Sequence, residues 1–184
     1  MKIISTTYGV SIEEFDQPKE NITNELLDKL FEPIYKNKIK IFETTRSIER
    51  LLEQIIAEYF CGDFNETSKD YRNRFNNLIL SSDWCTFASK LKLGLHIIED
   101  LKLLEKKSKE EFEQLLRKTM SYRNAFAHGE TSTDGRIVML KYFEKKPMKK
   151  TLDESFFSTA EKTLNKCYYM TDKIARKMNL IRTQ

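Results

Sequence analysis

The 184-residue chain holds two histidines, His96 and His128. That scarcity removes most imidazole metal sites: there is no HExxH and no His cluster, and no CxxC pair occurs either. Phosphate-cradling loops of the GxxxxGK and GxGxxG types are missing too. No metal and no cofactor is expected. His96 lies in Leu95-His96-Ile97-Ile98 and reads as a structural or surface residue. His128 has different neighbours, Tyr122-Arg123-Asn124-Ala125-Phe126-Ala127-His128-Gly129. An imidazole ordinarily titrates at about 6.5, so it can take or give a proton near neutral pH. A guanidinium keeps its charge and offers a fork matched to phosphate oxygens.

On a helix Asn124 and His128 are i and i+4, hence on one face. Arg123 is rotated from His128 by about 140°, at about 100° per residue. A single helix therefore aims Arg123 and His128 poorly at one point. Two copies meeting across a two-fold axis converge them, and Ala125 and Ala127 are small enough to let the backbones approach. Alternatively, Arg123 pairs with a carboxylate and His128 merely ends the helix, where the dipole favours a cation.

These residues need helices to position them, and the pattern supplies them. Asn21 to Phe31 predicts a short helix stopped at Pro33, with Ile22, Leu26, Leu27 and Leu30 on one side. Lys36 to Phe60 predicts a long one, its stripe being Ile41, Thr45, Ile48, Leu52, Ile55 and Tyr59, with Gly62 as the cap. Lys69 to Leu80 is expected to turn Tyr71, Phe75, Leu78 and Ile79 inward. After Ser81-Ser82-Asp83, a helix starting near Trp84 is expected to bury Trp84, Phe87, Leu91 and Leu95, with a kink at Gly94. Ser108 and Glu111 form a capping box opening the helix that carries the motif. From Ser108 to His128 it spans about 30 Å, at about 1.5 Å per residue, and Gly129 ends it.

Beyond Gly129 the periodicity changes. Asp134-Gly135 signals a turn, and Arg136 to Phe143 with Met148 to Leu152 predicts a β-hairpin over 136–152. A second capping box, Thr151 to Glu154, opens the last helix, with the stripe Phe157, Ala160, Leu164, Tyr168, Thr171 and Ala175. The expected fold is all-α, a single helical domain over 1–184 of about five to six helices with a small β-hairpin before the last. Residues 1–20 are weakly patterned.

Composition agrees. Five Gly and three Pro are too few for the frequent turns of an all-β chain. The net charge of +4 permits a polyanionic partner without requiring one, because acidic residues are interleaved throughout. The odd, well-separated Cys61, Cys85 and Cys167 argue against a disulfide framework and for reduced thiols. With no signal-peptide core at the N-terminus and no long apolar run, the expected setting is cytoplasmic, without a membrane partner.

Arg123, Asn124 and His128, with a four-residue gap between Arg and His and a polar residue directly after the Arg, resemble the motif of the HEPN superfamily. The sequence likeness is confined to about eight positions, while the helical outline extends over roughly residues 24 to 178. The resemblance implies a homodimer of helical bundles with metal-independent endoribonuclease activity, as in toxins, phage-defence factors and RNA-cleaving parts of CRISPR effectors. It also implies RNA as substrate and an antitoxin or defence-system protein as a further partner. In one branch a Tyr two residues after the His is nucleotidylated; Glu130 stands there in this chain, which argues against that control. Some members have lost activity and serve as dimerising modules that bind RNA, a nucleotide or a protein.

If the enzyme reading holds, RNA brings its own nucleophile, the 2′-hydroxyl. The site then supplies a base, an acid for the leaving 5′-oxygen, and charge at the phosphorane. His128 is the base or acid, Arg123 the phosphate ligand, and Asn124 orients the imidazole or holds a phosphate. Lys145, Lys146, Lys149 and Lys150, with Lys141, gather on the hairpin against Glu144 and can track an RNA backbone. As a charge run they equally suit a solvated hairpin tip.

Overall fold

The structure is a computed structural model that describes residues 11–12, 24–62, 66–134 and 136–182. Among these, most residues are helical, and a small antiparallel sheet precedes the last helix. The elements run β1 (Ser11–Ile12), α1 (Asn24–Cys61), α2 (Glu66–Phe75), a π-helical turn (Asn76–Leu80), α3 (Phe87–Asp100), α4 (Lys106–His128), β2 (Glu130–Thr133), β3 (Val138–Glu144), β4 (Lys146–Thr151) and α5 (Glu154–Arg182). No described helix is long and apolar enough to cross a membrane. The described residues divide into two compact units: those up to Glu43 with Ser121–Lys162, and Thr44–Met120 with those from Thr163 onward. Helices α1, α4 and α5 each contribute to both.

Where two helices were expected on either side of Pro33, α1 is continuous, with Pro33 inside it. An interior proline costs about 3 kcal/mol. Leu27, Phe31 and Ile34, all buried around it, return roughly 1.5–3 kcal/mol each, so burial outweighs the lost hydrogen bond. The Asn37 side chain also donates to the Pro33 carbonyl at 2.9 Å. The part of that first expected helix before Asn24 lies outside the described residues, as do residues 1–10 and 13–20 of the weakly patterned segment.

In the helical unit, Ile48, Leu52, Ile55 and Ile56 of α1, Ile97 and Ile98 of α3, Phe112 and Leu116 of α4, and Ile174 and Met178 of α5 form the fully buried core. The α5 stripe holds at Ala160, Leu164, Thr171 and Ala175, joined by Cys167. The expected inward face of α2 is wrong by rotation. Tyr71 and Leu78 are exposed, whereas Arg72 is buried and pairs with buried Glu58 at 3.3 Å. A charge pair thus sets the phase, which an apolar pattern cannot report. The π turn, closed by Ser81 N–H to the Asn76 carbonyl at 2.8 Å, shifts the register of the residues after it.

Trp84 is also outside its expected place: it precedes α3 and is exposed, and Thr86 caps the helix by accepting from Ser89 N–H at 3.3 Å. Gly94 does not interrupt α3. A Cβ there would stand 3.1 Å from Leu52 Cδ2, so the glycine lets α3 approach α1 closely. Lys90, on the same side of α3, is buried and reaches Glu49 at 2.7 Å and Glu53 at 2.5 Å on α1. Burial alone would lower the Lys90 ammonium, but the hydrogen bonds and charges of the two carboxylates outweigh it and hold the pKa above its ordinary value.

Both expected capping boxes are displaced. Lys109 N–H already bonds the Glu105 carbonyl at 2.9 Å, so α4 begins at Lys106 and Ser108 lies inside it. Thr151 ends β4, and Asp153 caps α5 by accepting from Phe156 N–H at 2.7 Å. At α5 the nearer acceptor, Asp153, wins over the four-residue signature.

The hairpin is present as β3 and β4, with Glu144 opposite Lys146 and Lys145 between them at φ 59°. Unexpected was β2, which pairs antiparallel with β3 from Glu130 opposite Lys141 to Thr133 opposite Val138. Short β1 pairs parallel with β2, giving the order β1-β2-β3-β4. Val138, Met139 and Leu140 are buried in succession, so β3 is covered on both faces at its start and exposed toward Glu144. β4 is the edge strand, and Pro147 is tolerated there.

Candidate functional site

The motif occupies the last two turns of α4. One side of those turns is held by aromatic packing. The Phe126 ring stands 6.1 Å from Phe156 and 6.2 Å from Phe157, and Tyr122 meets Phe156 edge to face at 5.8 Å. Ala125 and Phe126 are buried. Tyr142, on β3, is half-buried beside Tyr122; burial first, then the charges of Glu144 and Tyr122, push its phenol upward.

The opposite arc carries Arg123, Asn124, Ala127 and His128, all exposed. The offset of about 140° between Arg123 and His128 is therefore the width of the open face, with Asn124 and Ala127 inside it. Arg123 Nη1 donates to Asn124 Oδ1 at 3.1 Å, drawing the guanidinium toward the residue that shares a face with His128. Among the described residues no carboxylate pairs with Arg123, so the ion pair of the structural alternative is not formed there. Of the two small residues expected to admit a second helix, only Ala127 is available; Ala125 is turned into the core by its place beside Phe126.

Gly129 anchors this face. Its N–H closes the helix on the Ala125 carbonyl at 2.9 Å, and the next residue, Glu130, already begins β2. A Cβ at 129 would lie 2.2 Å from the Ala125 oxygen and 2.9 Å from both Leu140 Cδ1 and the Lys141 oxygen. Only glycine permits so abrupt a passage from helix to sheet directly after His128.

The hairpin lysines do not share the α4 face. Lys145, Lys146, Lys149 and Lys150 are exposed on the β3–β4 turn and β4, and Lys141 is half-buried on β3. Glu130 faces Lys141, which faces Lys149. Lys149 is thus two strand spacings from Glu130, or about 10 Å. Phe143, which the spacing of charges did not single out, is 75% exposed on this hairpin, opposite Pro147. Alternation along β3 was the signal that could have found it. His96 is exposed on α3, as expected of a surface histidine.

Among the described residues no group of three or more His, Cys, Asp and Glu is placed to hold a metal ion. A groove of about 620 Å³ lies elsewhere in the same unit, lined by α1 from Lys29 to Asn37, Arg136 to Val138, and Thr151 to Glu161. It contains none of the motif residues. No family model, no curated protein and no solved structure matches the chain.

Proposed function

We propose that this protein is a HEPN-type endoribonuclease that cleaves single-stranded RNA without a metal, in the cytoplasm, at a composite site in a homodimer. The observation that carries the reading is the open arc of α4: Arg123, Asn124, Ala127 and His128 are all exposed, while Ala125 and Phe126 between them are buried, Phe126 against the rings of Phe156 and Phe157. A structural Arg–His pair has no need to face solvent. In the dimer, Ala127 lets a second α4 approach, and each arc completes the other. His128 takes the proton of the 2′-hydroxyl or delivers one to the leaving 5′-oxygen, and its counterpart in the other copy does the reverse. Arg123 neutralises the phosphorane. The products are a 2′,3′-cyclic phosphate and a 5′-hydroxyl end. A toxin or phage-defence role, with a partner protein that restrains the enzyme, follows from the resemblance of the motif.

The test is cleavage of single-stranded RNA in EDTA by wild type, Arg123→Ala and His128→Ala, with melting temperature measured on the same preparations. Each substitution should lower the rate on the order of 10²-fold or more. Melting should move by no more than about 2 °C, because both side chains are exposed. Stable variants that cut RNA like wild type would end the reading. Wild type that dimerises and binds RNA without cutting it identifies a non-catalytic HEPN-like module instead.

A further inference from the structure

The β3–β4 hairpin presents Phe143 to solvent more fully than any other large apolar side chain among the described residues. In register it stands opposite Pro147, with Lys141 opposite Lys149 two positions back on the same face. The other face carries Lys146 opposite Glu144 and Lys150 opposite Leu140, and Lys145 occupies the turn. Exposed Lys149 thus shares the face of the exposed ring and exposed Lys145 stands in the adjoining turn, while Lys146 and Lys150 lie on the opposite face and Glu144 is the one acidic residue of the hairpin.

Lysines on an edge strand ordinarily keep that edge from pairing with another chain. That purpose accounts for the charges and is worsened by the ring, since an exposed aromatic on an edge promotes association. A positively charged surface around an aromatic face is instead the combination that holds single-stranded nucleic acid: lysines meet phosphates and the ring stacks on a base. A duplex hides its base faces, so an exposed ring on the hairpin has a stacking partner only in an unpaired strand.

We propose that this hairpin is the grip for single-stranded RNA, with Phe143 as the stacking platform and Lys149, on its face, and Lys145, in the turn beside it, on the phosphates; this deepens, and rests on, the nuclease reading. The register places Lys149 about 10 Å from Glu130, the second residue after His128, so a strand held on the hairpin lies a few nucleotides from the proposed site.

Binding is tested apart from cleavage. A fluorescent twelve-nucleotide 2′-O-methyl RNA lacks the nucleophile, so its anisotropy reports the grip alone. Wild type should bind it more tightly than the same sequence in a duplex. Phe143→Ala should weaken binding about five-fold or more, and Phe143→Trp should retain it. Lys145→Gln with Lys149→Gln should reduce the salt slope by about 1.4, from about 0.7 per phosphate contact on a single strand. Unchanged affinity in Phe143→Ala, or equal binding of a poly-glutamate peptide, overturns the proposal. The two readings fail separately. Intact, Phe143-dependent binding with no RNA cleavage sinks the nuclease and keeps the grip, whereas cleavage with Phe143-independent binding sinks the grip alone.

Discussion

Arg123 Nη1 donates to Oδ1 of Asn124, its immediate neighbour in the chain, at 3.1 Å. Adjacent side chains on a helix diverge by about 100°, so this contact requires the arginine to bend toward the asparagine. The bond narrows the separation between the guanidinium and the face carrying His128. In the proposed nuclease Asn124 is then a positioning residue. Asn124→Ala should lower RNA cleavage by roughly 10-fold, less than the loss of either Arg123 or His128. Melting should stay within about 2 °C of wild type, as for an exposed substitution. A variant that cleaves at the wild-type rate would remove Asn124 from the site.

Gly129 tests whether the helix–strand junction holds the site in place. In Gly129→Ala the new methyl group meets two backbone oxygens, which have no rotamer to yield, as well as Leu140. Overpacking of this kind costs about 1–3 kcal/mol, so melting should fall by roughly 2–12 °C. If the proposed nuclease site depends on this junction, cleavage measured below that melting point should fall as well. A fully stable Gly129→Ala would contradict the close approach.

Lys90 is the buried cation between Glu49 and Glu53. Replacing it by Met leaves the carboxylates facing each other without a counter-ion. Breaking a buried pair costs about 3–5 kcal/mol, but both carboxylates are about a quarter exposed, so about 2 kcal/mol is expected. That corresponds to a fall of about 4–8 °C in thermal melting. Glu49→Gln, which leaves Lys90 one charged partner, should cost less than half as much. Equal melting of the two variants would argue against a shared cation.

Cys167 is fully buried, and burial pushes its thiol up to about 11. The folded chain therefore keeps this proton at pH values where the unfolded chain, near 9, has lost it. Its contribution is complete below pH 9 and is lost as pH rises toward 11, at about 1.4 kcal/mol per pH unit. Cys167→Ala should flatten the alkaline fall in stability measured by urea denaturation. In the native protein at pH 8, half-buried Cys61 should react with a thiol reagent well before Cys85 or Cys167. Fast labelling of Cys167 would mean that its part of α5 opens readily.

Elements governed by neighbours in sequence could be read without tertiary information. The α5 stripe, the end of α4 at Gly129 and the β3–β4 hairpin follow from periodicity and turn chemistry, which act over a few residues. So does the sharing of one face by Asn124 and His128. Other features depended on atoms far away in the chain. Whether Pro33 ended a helix was decided by the burial of Leu27, Phe31 and Ile34. The phase of α2 was decided by Glu58, and the approach of α3 to α1 at Gly94 by Leu52. The spacing of Arg123 and His128 was present in the sequence, but Ala125 and Phe126 had to be drawn inward before the remaining arc could open to solvent. Phe156 and Phe157 supply that pull from α5, across an entire sheet in the chain. Local propensity determines which residues can share a face; long-range packing determines which face is left for chemistry.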